Sequence, residues 1–140
     1  PAEFDDNAFV VDIGSGNTKI SWKKGSDVSA VETYGAKYFQ NGDADDKVYE
    51  EVKAKAKQVP SDHRKTCFII GGIPFELAKQ VRKGKERYTV LKMPAGYTSE
   101  NAKQKAGLTI YKAVADATGT QQFVFDWDAN FTIGYLLSLK

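Results

Sequence analysis

Phe9-Val-Val-Asp-Ile-Gly-Ser-Gly-Asn-Thr-Lys-Ile-Ser-Trp22 is the stretch whose reading decides the fold. The apolar run Phe9 to Val11 stops at Asp12. Gly14 and Gly16 permit a tight reversal, and alternation resumes with Ile20 and Trp22. Two strands joined by a turn of glycine and small hydroxyl residues make a β-hairpin. Glycine reaches φ values closed to other residues, so such a turn can aim several N–H groups at one anion and let it approach closely. Asp12 stands where it could hold a hydrated cation beside that anion. Phosphate or nucleotide binding is therefore the first functional expectation. The plain alternative is an ordinary tight hairpin with Asp12 as its cap.

Downstream of this hairpin (strands over 9–12 and 18–23), a third strand over 28–34 alternates Val28, Ala30 and Thr33, completing an antiparallel meander. A loop over 35–46 carries Asp43, Asp45 and Asp46. These lack the spacing and closing Glu of a calcium loop and read as a solvated loop and helix cap. A helix over 46–58 follows, with Val48, Val52, Ala56 and Val59 at helical spacing, and Pro60 stops it. Lys53, Lys55 and Lys57 read as its wet face. Cys67-Phe-Ile-Ile70 is wholly apolar, as a buried parallel strand would be, and ends at Gly71-Gly72. The spacing then predicts a helix over 74–82, a strand over 88–92, a helix over 99–117 closed by Gly119, a short strand over 123–125 and a last helix over 131–139. Asp126, Trp127 and Asp128 read as a loop. A meander followed by βαβ units predicts an α/β fold, a ribonuclease H-like mixed sheet of about five strands with helices on its faces. Ligands of open α/β sheets bind at the carboxyl ends of strands, and that edge carries the Gly14–Thr18 turn and Gly71-Gly72.

Composition narrows the function. With 140 residues, 41% hydrophobic and 27% charged, residues 1–140 suit one ordinary domain. A net charge of +2, with the lysines dispersed, argues against nucleic acid as a partner. No apolar run reaches the ~18 residues of a membrane span. The lone cysteine, Cys67, excludes a disulfide within the chain and reads as a buried inert thiol. The lone histidine, His63, lies in a polar segment, so no zinc cluster is expected. The expected location is cytoplasmic, with no compartment signal legible in Pro1-Ala-Glu-Phe4.

Three groups of residues resemble half of the actin-like ATPase superfamily. Asp12-Ile-Gly-Ser-Gly-Asn-Thr-Lys19 is similar to its phosphate-binding hairpin, and Phe68-Ile-Ile-Gly-Gly72 before a helix is similar to its second-half Gly-Gly motif. The region from Ser99 to Leu137, with Ala106-Gly107 and Gly134, most resembles the end of the second domain of the exopolyphosphatase/guanosine pentaphosphate phosphatase family. The resemblance implies a C-terminal phosphate- or nucleotide-binding domain of an exopolyphosphatase-like phosphohydrolase, one half of the superfamily fold. Gly14, Ser15, Gly16, Asn17, Thr18, Lys19, Gly71 and Gly72 would contact phosphate, and Asp12 would reach Mg through water; the plain alternatives are a solvated strand residue for Lys19 and close strand–helix packing for Gly71-Gly72. It implies a phosphate-containing small molecule or polyphosphate as ligand, and a homologous N-terminal half or partner subunit.

The sequence departs from that family in three places. Lys19 stands where its hairpin has Glu, Ser15 replaces the middle glycine, and Ala129-Asn-Phe-Thr132 replaces an acidic, arginine-containing turn. Lys19 is closer to the first hairpin of actin and its relatives. Superfamily enzymes hold metal and phosphate between two halves, and one half cannot close that geometry. Catalytic residues are therefore not assigned, and enzymatic activity is expected only within a larger two-half protein. A non-catalytic actin-like or regulatory interaction module is the alternative.

Overall fold

The computed structural model describes residues 7–39, 45–98 and 101–128. The predicted hairpin forms from β1 (Ala8–Ile13) and β2 (Asn17–Lys24), antiparallel with Asp12 opposite Lys19 and Ile13 opposite Thr18. β3 (Asp27–Tyr34) adds antiparallel to β2, completing the meander. β4 (Thr66–Ile70) then lies parallel to β1, with Asp12 opposite Ile70. With β5 (Tyr88–Val90) and β6 (Gln122–Asp126), the described residues form a six-stranded sheet in the order β3-β2-β1-β4-β6-β5. It is the mixed α/β sheet that the sequence predicts.

One outer strand differs from the expected crossover pattern. β5 (Tyr88–Val90) is an antiparallel edge strand, and β6 (Gln122–Asp126) takes the place beside β4. The reason lies in the connection after α2 (Gly72–Val81). The Glu86 carboxylate accepts the N–H groups of Lys83 and Gly84 at 2.9 and 2.8 Å and folds residues 82–87 into a tight turn. The Arg87 carbonyl then accepts the Trp127 N–H at 2.8 Å. The Arg87 guanidinium meets Asp126 through Nε at 3.2 Å and Nη2 at 3.3 Å. These contacts start β5 at the carboxyl end of β6, so the two must run in opposite directions. Asp126, read as a loop residue, is instead fully buried at the end of a strand, where burial is tolerated because the carboxylate is paired and hydrogen-bonded.

The core follows from strand alternation. Phe9, Val11 and Ile13 of β1, Ile20 and Trp22 of β2, Cys67 and Ile69 of β4, and Phe123 and Phe125 of β6 form one cluster with the three described helices. α1 (Asp45–Ala56) contributes Val48, Val52 and Ala56, and α3 (Ala102–Thr118) contributes Ile110, Tyr111 and Val114. Each large apolar side chain buried there contributes about 1.5–3 kcal/mol. The other face of the sheet carries a smaller cluster of Ala8, Val10, Phe68, Ile70 and Val124. Cys67 is buried, and burial pushes its thiol well up, in keeping with an inert packing role. α3 starts later than its periodicity alone suggests, because the Asn101 side chain accepts the Gln104 N–H at 3.0 Å and caps it. Gly119 closes it with φ 69°, as expected. The helix expected over 131–139 lies outside the described residues.

Gly107 is set by packing rather than by backbone shape. A Cβ there would come within 2.5 Å of Ile73 Cδ1 and 2.6 Å of its Cγ2, so the missing side chain lets α3 close on α2. Gly107→Ala is expected to destabilise the fold by about 1–3 kcal/mol despite alanine's better helix propensity. Ile73→Ala in the same chain should cancel most of that clash. Urea unfolding of the two single variants and the double variant measures the coupling.

Candidate functional site

Two loops meet at the carboxyl ends of β1 and β4. The first is the turn over 14–16, closed by the Gly14 N–H donating to the Asn17 carbonyl at 2.9 Å. The second is Gly71-Gly72, which opens α2. Gly71 has φ 118°, and a Cβ there would lie 2.4 Å from the Ile13 carbonyl oxygen. Only glycine fits this contact, and it presses the second loop against the end of β1.

A third segment supports the turn from behind. The N–H groups of Ala36 and Lys37 donate to the carbonyls of Gly14 and Ser15, each at 3.0 Å. A Cβ on Gly35 would lie 2.4–2.6 Å from the Ser15 and Gly14 carbonyls and the Asn17 nitrogen. The 35–37 segment therefore takes up the turn's carbonyl oxygens. What remains on its outer side is the N–H groups of Ser15 and Gly16, which have no partner among the described residues. The first N–H groups of α2 lack intrahelical acceptors by geometry, and no side chain caps them. The two loops thus present donors, and the α2 dipole favours a negative charge beside them.

The glycines divide into two kinds. Gly14, Gly35 and Gly71 are required by close contacts: Gly14's Cβ would meet the Asn17 carbonyl oxygen at 2.8 Å. Gly16 and Gly72 are not. Neither has a positive φ, and an added Cβ would meet only Lys37 Nζ at 3.9 Å in the first case and nothing within 4 Å in the second. The turn is therefore no left-handed nest, and the expectation that Gly14 and Gly16 serve by positive φ is corrected. Their backbone is ordinary, and Gly16 and Gly72 keep open space above it.

The remaining expected residues are placed as follows. Asn17 opens β2, and Ser15 is exposed beside it. Thr18 has its side chain on the helix-covered face, fully buried, and its hydroxyl has no partner, so only its backbone belongs to the turn. Asp12 and Lys19 face each other across β1 and β2 on the opposite face. Burial raises the Asp12 carboxyl above the usual aspartate value, with Lys19 pulling it back. Lys37 was missed by the sequence reading. Its Nζ stands above Gly16, placed there by the hydrogen bond of its own N–H to Ser15. Backbone pairing between two loops leaves no pattern in the sequence, so only a cation shortly after strand three hinted at it. Among the described residues no three His, Cys, Asp or Glu side chains gather as a metal site. The donor set at Asp12 fits only a hydrated divalent cation held through its waters, which is how Mg commonly binds.

Solved structures share this architecture. The Aquifex aeolicus Ppx/GppA phosphatase in its type II variant aligns with a TM-score of 0.59 and 16% identity over 87% of this chain and 53% of its own. A second crystal structure, of the Aquifex aeolicus member of the Ppx/GppA protein family, aligns with a TM-score of 0.62 and 15% identity over 96% of this chain and 57% of its own.

The fold is the actin-like one of the Ppx/GppA phosphatases.

This chain spans little more than half the length of the Ppx/GppA chains it matches. No protein-family model and no curated protein sequence matches it. At this identity the Ppx/GppA likeness is one of fold, and the chemistry of the loops must be argued from their own geometry.

Asp12 should weaken the fold that holds it. A carboxyl raised above its unfolded value binds protons more tightly in the folded state, so its ionisation opposes folding above that value. Asp12→Asn is expected to raise the melting temperature at pH 7. That gain should shrink as pH falls through the folded value and vanish below the usual aspartate range, where both states are protonated. Thermal melts from pH 3 to pH 8 test this sign.

Proposed function

We propose that this chain is the phosphate-binding half of an exopolyphosphatase-like phosphohydrolase, second in order along a two-half protein and not active alone. The observation that carries the proposal is the pair Gly16 and Gly72. Packing does not require either, yet both leave bare backbone at adjoining loops, where N–H groups lack partners. A phosphate of polyphosphate or of a nucleotide tail fits that donor set. Lys37 adds a positive charge above the turn. Asp12 would hold a hydrated Mg through water, and the ion would supply charge neutralisation for the phosphate. Lys19 lies in register with Asp12 and limits the negative charge there.

Half of the closed site would come from a homologous half or partner subunit. Phosphoryl transfer needs the nucleophile and the leaving oxygen fixed in line from both sides, and this surface supplies one side. One observation favours a second reading, a non-catalytic interaction module. Asp12 lies opposite Lys19 rather than a second carboxylate across β1 and β2.

Binding should be weak, about millimolar, because a lone turn competes with bulk water. Pyrophosphate with Mg is expected to raise the melting temperature above the rise given by sulfate at equal ionic strength. Gly16→Val places a side chain into open space, so it should fold normally and lose the pyrophosphate-specific rise. The purified chain should release no phosphate from polyphosphate or nucleotides above background. An equal rise with sulfate, or an unchanged rise in Gly16→Val, contradicts the site. Steady phosphate release abolished by Asp12→Asn contradicts the half-site reading.

A further inference from the structure

The end of the sheet away from the glycine loops holds a cavity of about 490 Å³, lined by Trp22, Lys23, Lys24, Ser29, Gln58, Pro60, Asp62 and His63, among others. Its position follows from register. Trp22 lies opposite Phe9 at the start of β1, whereas the glycine turn follows Ile13 at its other end. The turn Ser61–His63 leads into β4, whose Thr66 lies opposite Ala8. The cavity is therefore separated from the glycine loops by the length of β1, about 16 Å at the usual rise of a strand.

Trp22 makes this cavity more than a dent. It is 7% exposed and belongs to the main core cluster, yet its indole N–H has no partner among the described residues. The chain's second indole behaves normally, since Trp127 Nε1 donates to Thr89 Oγ1 at 2.8 Å. A buried tryptophan N–H usually finds an acceptor. Nor is the Trp22 nitrogen one of the sealed, unsatisfied buried atoms, and Trp22 lines the cavity. The walls add further donors. Lys24 comes from the end of β2, and the Ser29 hydroxyl from β3. His63 Nδ1 donates to the Asp62 carboxylate at 2.8 Å, so Nε2 of the neutral ring is an acceptor and adds no donor to the walls. That same contact engages Asp62, the one acidic residue of the lining. The indole N–H, the Lys24 ammonium and the Ser29 hydroxyl thus offer donors and positive charge around a floor of indole and proline. The volume lies within the range of small-molecule sites, roughly 300–1,000 Å³.

We propose that this cavity binds a small organic anion, a carboxylate or phosphate monoester on a flat apolar body, with Trp22 Nε1, Lys24 and the Ser29 hydroxyl facing its charged group. The site is distinct from the glycine loops and does not depend on their function. Distance makes it a place for a regulatory ligand rather than for a reacting group.

The test is a ¹⁵N correlation NMR titration of the full chain with benzoate, phenyl phosphate and uncharged benzamide. The Trp22 indole resonance is assigned by its loss in Trp22→Phe, and the Trp127 indole serves as the internal control. Benzoate, phenyl phosphate or both should shift the Trp22 indole and the Ser29 and His63 amides saturably, at about a millimolar or below. The stronger of the two identifies carboxylate or phosphate as the preferred group. Benzamide should shift them far less. Lys24→Glu, on the exposed rim, should weaken the effect about tenfold. Shifts at residues 14–18 with phenyl phosphate report the other site and are read separately. The proposal is overturned if neither anion moves the Trp22 indole up to about 50 mM. An equal response to benzamide, or unchanged affinity in Lys24→Glu, overturns it as well.

Discussion

The arrangement of this protein depends on one close contact, the Gly71 backbone against the Ile13 carbonyl oxygen. A single added Cβ would lie 2.4 Å from that oxygen, and the φ of 118° is itself closed to ordinary side chains. The parallel pairing of β1 with β4 brings the two strand ends level, and this contact then holds the loops that follow them against each other. Without it the 14–16 turn and the start of α2 would be separate surface features. With it they become one surface edged by N–H groups that have no partner among the described residues. Gly35 does the same from the third side, admitting the 35–37 segment so closely that it consumes the turn's carbonyls and leaves its donors outward.

This edge carries local costs to stability. The Thr18 hydroxyl is buried without a partner, as is that of Thr33 directly opposite it, and each such group costs about 1–3 kcal/mol. Asp12 is held half-buried with its carboxyl raised. Close packing lies beside them on the same end of the sheet. The Arg82 guanidinium stacks 3.8 Å from the centre of the Trp127 ring, Phe125 and Trp127 pack edge-to-face at 5.0 Å, and Asp126 is fully enclosed with Arg87.

The hairpin, the parallel β4 and the three described helices were legible in the sequence because each is written in local periodicity. Phe9, Val11 and Ile13 alternate in the sequence and alternate in the fold; Val48, Val52 and Ala56 recur at helical spacing and face the core. The glycine loops were legible as a pair for the same reason, since each directly follows an apolar strand. What periodicity could not show is contact between distant segments. The reversal of β5 depends on Arg87 reaching Asp126, and Lys37 reaches the turn through backbone hydrogen bonds. The different roles of the glycines were equally hidden, because Gly14 and Gly16 look alike in sequence and only the packing separates a required glycine from an open one. Thr18 read as a turn residue, but the period of the strand turns its side chain inward.

The central claim is that the bare backbone at Gly16 and Gly72 is an anion-binding surface. Backbone amide shifts during a titration of the whole chain with pyrophosphate and Mg test it most directly. The account requires the largest shifts at Ser15, Gly16 and Gly72. Shifts confined to other residues, with those three amides unmoved at saturation, would contradict it.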